Sequence, residues 1–193
     1  MQITLDEYIQ NLVHRFSRFY DVTLNEEMAG QHYDLTARFK ARNEKYILLR
    51  EFTLFAYENC EIVLLKAFPE VTAAAVAEFS ARLKDLVPVL VQPSEEHMST
   101  VLTGVMVAQG GVIGNAAALV QRFCYSRNFR FLLQGWCDVR LLAVDLAANQ
   151  VYSNKAGRVV QQVYHMQARK EGRGSAPLLS LRGLKKLAKG VLE

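Results

Sequence analysis

Between Gln31 and Phe68 the chain carries three apolar runs separated by short polar breaks, and this block constrains the fold more than any other stretch. In the first run Tyr33, Leu35, Ala37 and Phe39 alternate with His32, Asp34, Thr36, Arg38 and Lys40. Successive side chains of an extended strand point to opposite faces, so the alternation predicts a strand with one wet face. The second run, from Tyr46 to Ala56, follows the break Ala41-Arg42-Asn43-Glu44, and the third, from Ile62 to Leu65, follows Glu58-Asn59-Cys60. Both are apolar on two faces for much of their length, which requires cover on both sides. The expected fold is therefore α/β (α+β): a mixed, largely antiparallel sheet flanked by helices, with element order α-β-β-β-α-β-α-β-β-β-α.

The flanking segments supply the helices. Thr4-Leu5-Asp6-Glu7 has the form of a capping box, and Leu5, Tyr8, Ile9, Leu12, Val13, Phe16, Phe19 and Tyr20 then recur at helical spacing. Residues 21–30 read as a loop ending at Gly30. After the strand block, Pro69 and Glu70 suit the first turn of a helix with the buried stripe Val76, Phe79, Leu83 and Leu86, and Pro88 is expected to end it. Ser99 to Ala108 reads as a buried strand, Asn115 to Phe123 as a helix, and Phe129, Phe131 and Leu133 as part of a further strand. Val139 to Leu146 and Val151 to Ser153 read as strands joined by a hairpin turn, and Ala156 to Met166 as a last helix. Gly110-Gly111-Val112-Ile113-Gly114-Asn115 lacks Gly-x-Gly-x-x-Gly spacing, so it reads as a strand-to-helix turn and not as a phosphate cradle.

With 193 residues, 51% of them hydrophobic, the chain can bury one substantial core, and residues 1–167 are expected to form one domain. No apolar run has the length of a transmembrane segment, and residues 1–7 lack the pattern of a secretory signal, so a cytoplasmic location is expected. Cys60, Cys124 and Cys137 form no Cys-x-x-Cys pair and sit in or beside apolar runs, where buried thiols are expected. The net charge of +4 is unevenly spread, because residues 150–193 carry nine Lys or Arg against Glu171 and Glu193. Residues 168–193 read as a basic amphipathic C-terminal arm. It has no aromatic residue, so packing on a protein partner or a second copy of the chain is preferred to an anionic membrane surface, and both to nucleic acid.

The order helix, three strands, helix, strand over roughly residues 5–108 is similar to that of restriction-endonuclease-like nucleases. That resemblance implies an acid on the second core strand and an acid-x-Lys triplet on the third, sharing a divalent metal. This chain departs from the pattern: Asp34 lies on the first strand, Glu51 is followed two positions later by Thr53, and Glu61 stands five residues before Lys66. An odd separation puts Glu61 and Lys66 on opposite strand faces. No catalytic residue, metal ligand or cofactor is assigned. The stretches Glu95-Glu96-His97-Met98-Ser99-Thr100 and Gln134-Gly135-Trp136-Cys137-Asp138-Val139-Arg140 resemble those of an uncharacterised bacterial family of unknown function, a resemblance that implies no activity. Each gathers polar groups at a strand end, which makes His97, Glu96, Trp136, Asp138 and Arg140 the ligand-binding candidates. His97 beside a carboxylate has the makings of a general base, and Trp136 with Asp138 of a stacking platform and an acceptor. The expected function is a non-catalytic ligand-binding or protein-interaction domain with a basic arm for association. The alternative is a metal-dependent nuclease-like phosphodiesterase with rearranged acids.

Overall fold

The structure is a computed structural model that describes residues 3–45, 55–91, 97–129 and 136–166. Helix α1 (Leu5–Phe16) is followed by strands β1 (Asp21–Met28), β2 (Gln31–Lys45) and β3 (Phe55–Phe68), then helix α2 (Ala73–Leu90) and strand β4 (His97–Ala108). Helix α3 (Ala116–Arg122), strands β5 (Ser126–Asn128), β6 (Trp136–Asp145) and β7 (Gln150–Ser153), and two 3-10 turns, Ala156–Val159 and Gln161–Tyr164, complete it. The strands form one mixed, mostly antiparallel sheet in the order β1-β2-β3-β4-β6-β5, with β7 also pairing β6. This is the α/β architecture and element order expected from the sequence, with 3-10 turns in place of the last helix. β1 to β3 are an antiparallel meander, whereas β3, β4 and β6 run parallel. Parallel neighbours need crossovers, which α2 and α3 supply.

Alternation along the strands builds two cores. Val63 and Leu65 of β3, Val105 and Val107 of β4, and Leu142 and Val144 of β6 pack with Tyr8, Leu12 and Phe16 of α1. The opposite parity, including Leu64, Leu102, Met106, Val139 and Leu141, packs with Val76, Phe79 and Leu83 of α2 and Val120 of α3. Gly104 lets α2 approach closely: a Cβ there would lie 2.3 Å from Leu83 Cδ1 and 2.9 Å from Phe79 Cε1. The capping box of α1 forms as expected, with Glu7 N donating to Thr4 Oγ1 and Thr4 N to Glu7 Oε2.

Several boundaries differ from the sequence expectation for physical reasons. Residues 21–28, expected as loop, form edge strand β1, which among the described residues pairs with β2 alone and is largely exposed, so its sequence need not alternate. The Ala29-Gly30 turn takes φ of 49° and 74°, the two-residue hairpin geometry that matches strand twist. Between Leu24↔Leu35 and Glu26↔Tyr33 the pairing passes over Asn25, whose φ is 53°. Beyond that irregularity Tyr33 joins the α2-side core while Leu35 and Ala37 belong to the α1-side core. Thr72, and not Pro69 or Glu70, caps α2, its hydroxyl accepting from Ala75 N. Pro88 lies inside α2 instead of ending it, because in the last turn it forfeits one helical bond while Leu86 and Val87 stay buried. Cys124 is exposed rather than buried, lying beside the sheet's outer edge. Residues 46–54, 130–135 and the arm from 168 lie outside the described residues.

The middle of the outer edge of β6 depends on the side chain of Asn154. β5 pairs with residues 136–138 and β7 with 142–145, which leaves a gap between them. Asn154, 1% exposed, fills it: Oδ1 accepts from Leu141 N and Gly157 N, and Nδ2 donates to Val139 O and Phe123 O. Together with the backbone bonds from Val139 N to Tyr125 O and from Asn154 N to Leu141 O, the amide side chain bridges the two edge strands at that point.

Candidate functional site

Trp136, Asp138 and Arg140 alternate along β6, so they share a face, and their parity is that of Leu142 and Val144, which belong to the α1-side core. The register aligns Trp136 with Ser99, Asp138 with Val101 and Arg140 with Thr103 on β4, and Val101 and Thr103 in turn with Glu61 and Val63 on β3. Arg140 reaches diagonally across β4, and its Nη1 donates to Glu61 Oε1 at 2.8 Å. The second carboxylate oxygen accepts from Tyr20 OH at 3.0 Å. Glu61 is 2% exposed. An ion pair so enclosed is desolvated, and its stability rests on both oxygens being hydrogen-bonded.

The tyrosines around the pair keep their protons. Burial, then the neighbouring Glu61 charge, pushes the Tyr20 hydroxyl far above its ordinary range, and the same two causes act on Tyr164. Tyr20 therefore serves as a donor to the carboxylate. Tyr8 OH donates to Tyr164 O at 2.8 Å, and Arg15 Nη1 donates to Val163 O and His165 O, so α1 fastens the end of the described chain over this cluster. Thr103, fully buried and aligned with both Val63 and Arg140, has a hydroxyl without a hydrogen-bond partner among the described residues. Toward the amino ends of β4 and β6 the face becomes half-buried at Val101, Trp136 and Asp138.

The candidates from the sequence are thus distributed as follows. Trp136, Asp138 and Arg140 share one face, with Arg140 committed to Glu61. His97 opens β4 and pairs with Glu58, two residues before Ser99, which pairs with Trp136. Glu96 lies outside the described residues. Local pattern did not identify Tyr20, Thr103 or the role of Glu61. A usable signal existed, since single acids and bases within otherwise apolar strands are buried mainly as pairs.

The opposite end of the parallel strands is closed by protein groups. Asp145 accepts from Val112 N at 2.9 Å and Ala148 N at 2.7 Å, Gly110 N donates to Pro69 O, and Ile113 N to Val71 O. The Gly110–Asn115 turn therefore spends these amides on the fold. Asp34 accepts from Ala67 N at 2.7 Å. Asp34 and Glu61 are separated by five register positions along β2 and β3, or about 17 Å at strand rise, so they cannot share an ion. Among the described residues no group of three or more His, Cys, Asp or Glu is arranged to hold a metal, and no helix is long and apolar enough to cross a membrane. Burial, then the Asp138 charge, pushes the Cys137 thiol up to about 12, which makes it an inert core group.

Comparison with curated proteins and with solved structures gives no match. Residues 4–166 match a protein family described as a domain of unknown function, DUF8052, a span that takes in every described element from α1 to the second 3-10 turn. The chain belongs to the DUF8052 family.

Proposed function

We propose that this protein is a non-catalytic binding domain whose ligand meets Trp136 and Asp138 on the α1-side face, at the amino ends of β4 and β6. The carrying observation is how the acids are used: Asp34, Glu61 and Asp145 each hold protein groups, while Trp136 and Asp138 remain half-buried together at one end of the sheet. A tryptophan ring two residues from a carboxylate on one strand face fits a cationic amine, which the ring attracts through its π face and the acid by charge. Glu61 already neutralises Arg140, so the nearby guanidinium does not oppose such a ligand. The basic arm, residues 168–193, serves association with protein. Thiols Cys124 and Cys137, neither in a disulfide, suit a reducing cytoplasmic compartment.

Trp136 is the chain's one tryptophan, so its emission reports directly on this face. Titration with spermidine or choline is expected to change that emission saturably, and Asp138→Asn to weaken the effect about ten-fold, the scale of one lost ion pair at a half-buried site. Emission indifferent to both amines would refute the reading.

A further inference from the structure

The rim of the sheet opposite β1 gathers cations and aromatic rings although residues 1–149 are net acidic. Lys84 Nζ on α2 lies 5.6 Å from the Phe123 ring centroid and 6.0 Å from that of Tyr125, and the Arg127 guanidinium carbon lies 5.4 Å from the Phe129 centroid. Arg122, in the last turn of α3, adds a further exposed charge. Arg127 aligns with Cys137, a residue of the α2-side core, so it lies on that side of β5, and Tyr125 and Phe129 flank it at the same parity. All three rings pack partly into the α2-side core, which fixes them, while Lys84, Arg122 and Arg127 are exposed and form no ion pair among the described residues. Asp85 stands beside Lys84 on α2, and Asp138, on the other face of the sheet, pairs with Ser126 next to Arg127. Among the described residues β5 pairs with β6 alone, so its outer side carries no strand there.

We propose that this rim, Lys84, Arg122, Phe123, Tyr125, Arg127 and Phe129, binds single-stranded nucleic acid. A base that stacks on one of these fixed rings takes the place of the cation over it, and the displaced cation meets the neighbouring phosphate, the combination of stacking and charge by which sequence-tolerant single-strand sites work. An extended chain places Tyr125 and Phe129 about 13 Å apart, far enough for separate bases to meet each ring. An acidic peptide would use the charges but leave the rings without a role. Arg127 and the rings lie on the sheet face away from Trp136 and Asp138, although β5 pairs with the segment of β6 that carries both.

The test is fluorescence anisotropy of the full chain with a labelled oligothymidylate of roughly twelve nucleotides across a salt series, in the parent and in Arg127→Gln and Phe129→Leu. Arg127 is exposed and leucine keeps the apolar packing of Phe129, and thermal unfolding of each variant verifies folding. Phe129→Leu is expected to weaken binding about five-fold or more. Arg127→Gln is expected to lower the slope of log affinity against log salt by about 0.7. The proposal is overturned by absence of binding, by equal affinity in parent and variants, which would assign binding to the basic arm, or by equal displacement with polyglutamate or duplex DNA.

Discussion

Glu61→Leu is expected to lower the free energy of unfolding by about 3 kcal/mol or more, because it leaves the Arg140 guanidinium in a largely enclosed position without its counter-charge. Tyr20 loses its acceptor in the same step. The double variant Glu61→Leu with Arg140→Met should recover most of that loss, since removing both charges also removes both desolvation penalties. Denaturant unfolding of the two single variants and the double one measures the coupling. Additive effects within about 0.5 kcal/mol would mean that the pair does not form in solution.

Asn154→Ala is expected to cost about 3–4 kcal/mol. Four hydrogen bonds are lost at once, each worth about 1 kcal/mol net, and the Leu141 amide and Val139 carbonyl are left without their strand-like partner. Amide exchange should show the loss locally, with Leu141 N–H losing protection ahead of the centre of β4. A destabilisation below about 1 kcal/mol would show that water or β7 takes over the role. Asn154→Asp is a sharper variant, because it keeps the acceptor for Leu141 and Gly157 but removes the donor to Phe123 and Val139.

The meander and its covering helices were legible because β2 alternates and the apolar run of β3 is two-sided, and both patterns depend only on local burial. β1 was not, since an edge strand exposed at Thr23, Leu24 and Asn25 carries no apolar alternation. The last segment looked helical through Val159 and Val163, but Val159 is 73% exposed and burial falls on Gly157, Val160 and Tyr164, a pattern served by two short turns. At the site, the shared face of Trp136, Asp138 and Arg140 follows from alternation alone. The bond from Arg140 to Glu61 does not, because it requires knowing that β3 and β6 stand on either side of β4, and that order is set by the crossovers through α2 and α3. Asn154 illustrates the same limit: an asparagine after a strand reads as a turn residue, and its four partners come from β6, the end of α3 and the following turn.

On the proposed reading, Asp34, Glu61 and Asp145 hold the protein together instead of holding an ion for hydrolysis. Calorimetric titration of Mn²⁺ into the full chain tests it most directly. The expected result is no saturable heat, in the parent and in Glu61→Gln alike. Stoichiometric uptake by the parent that disappears in Glu61→Gln would contradict it, and would return Glu61 to the role of a metal ligand.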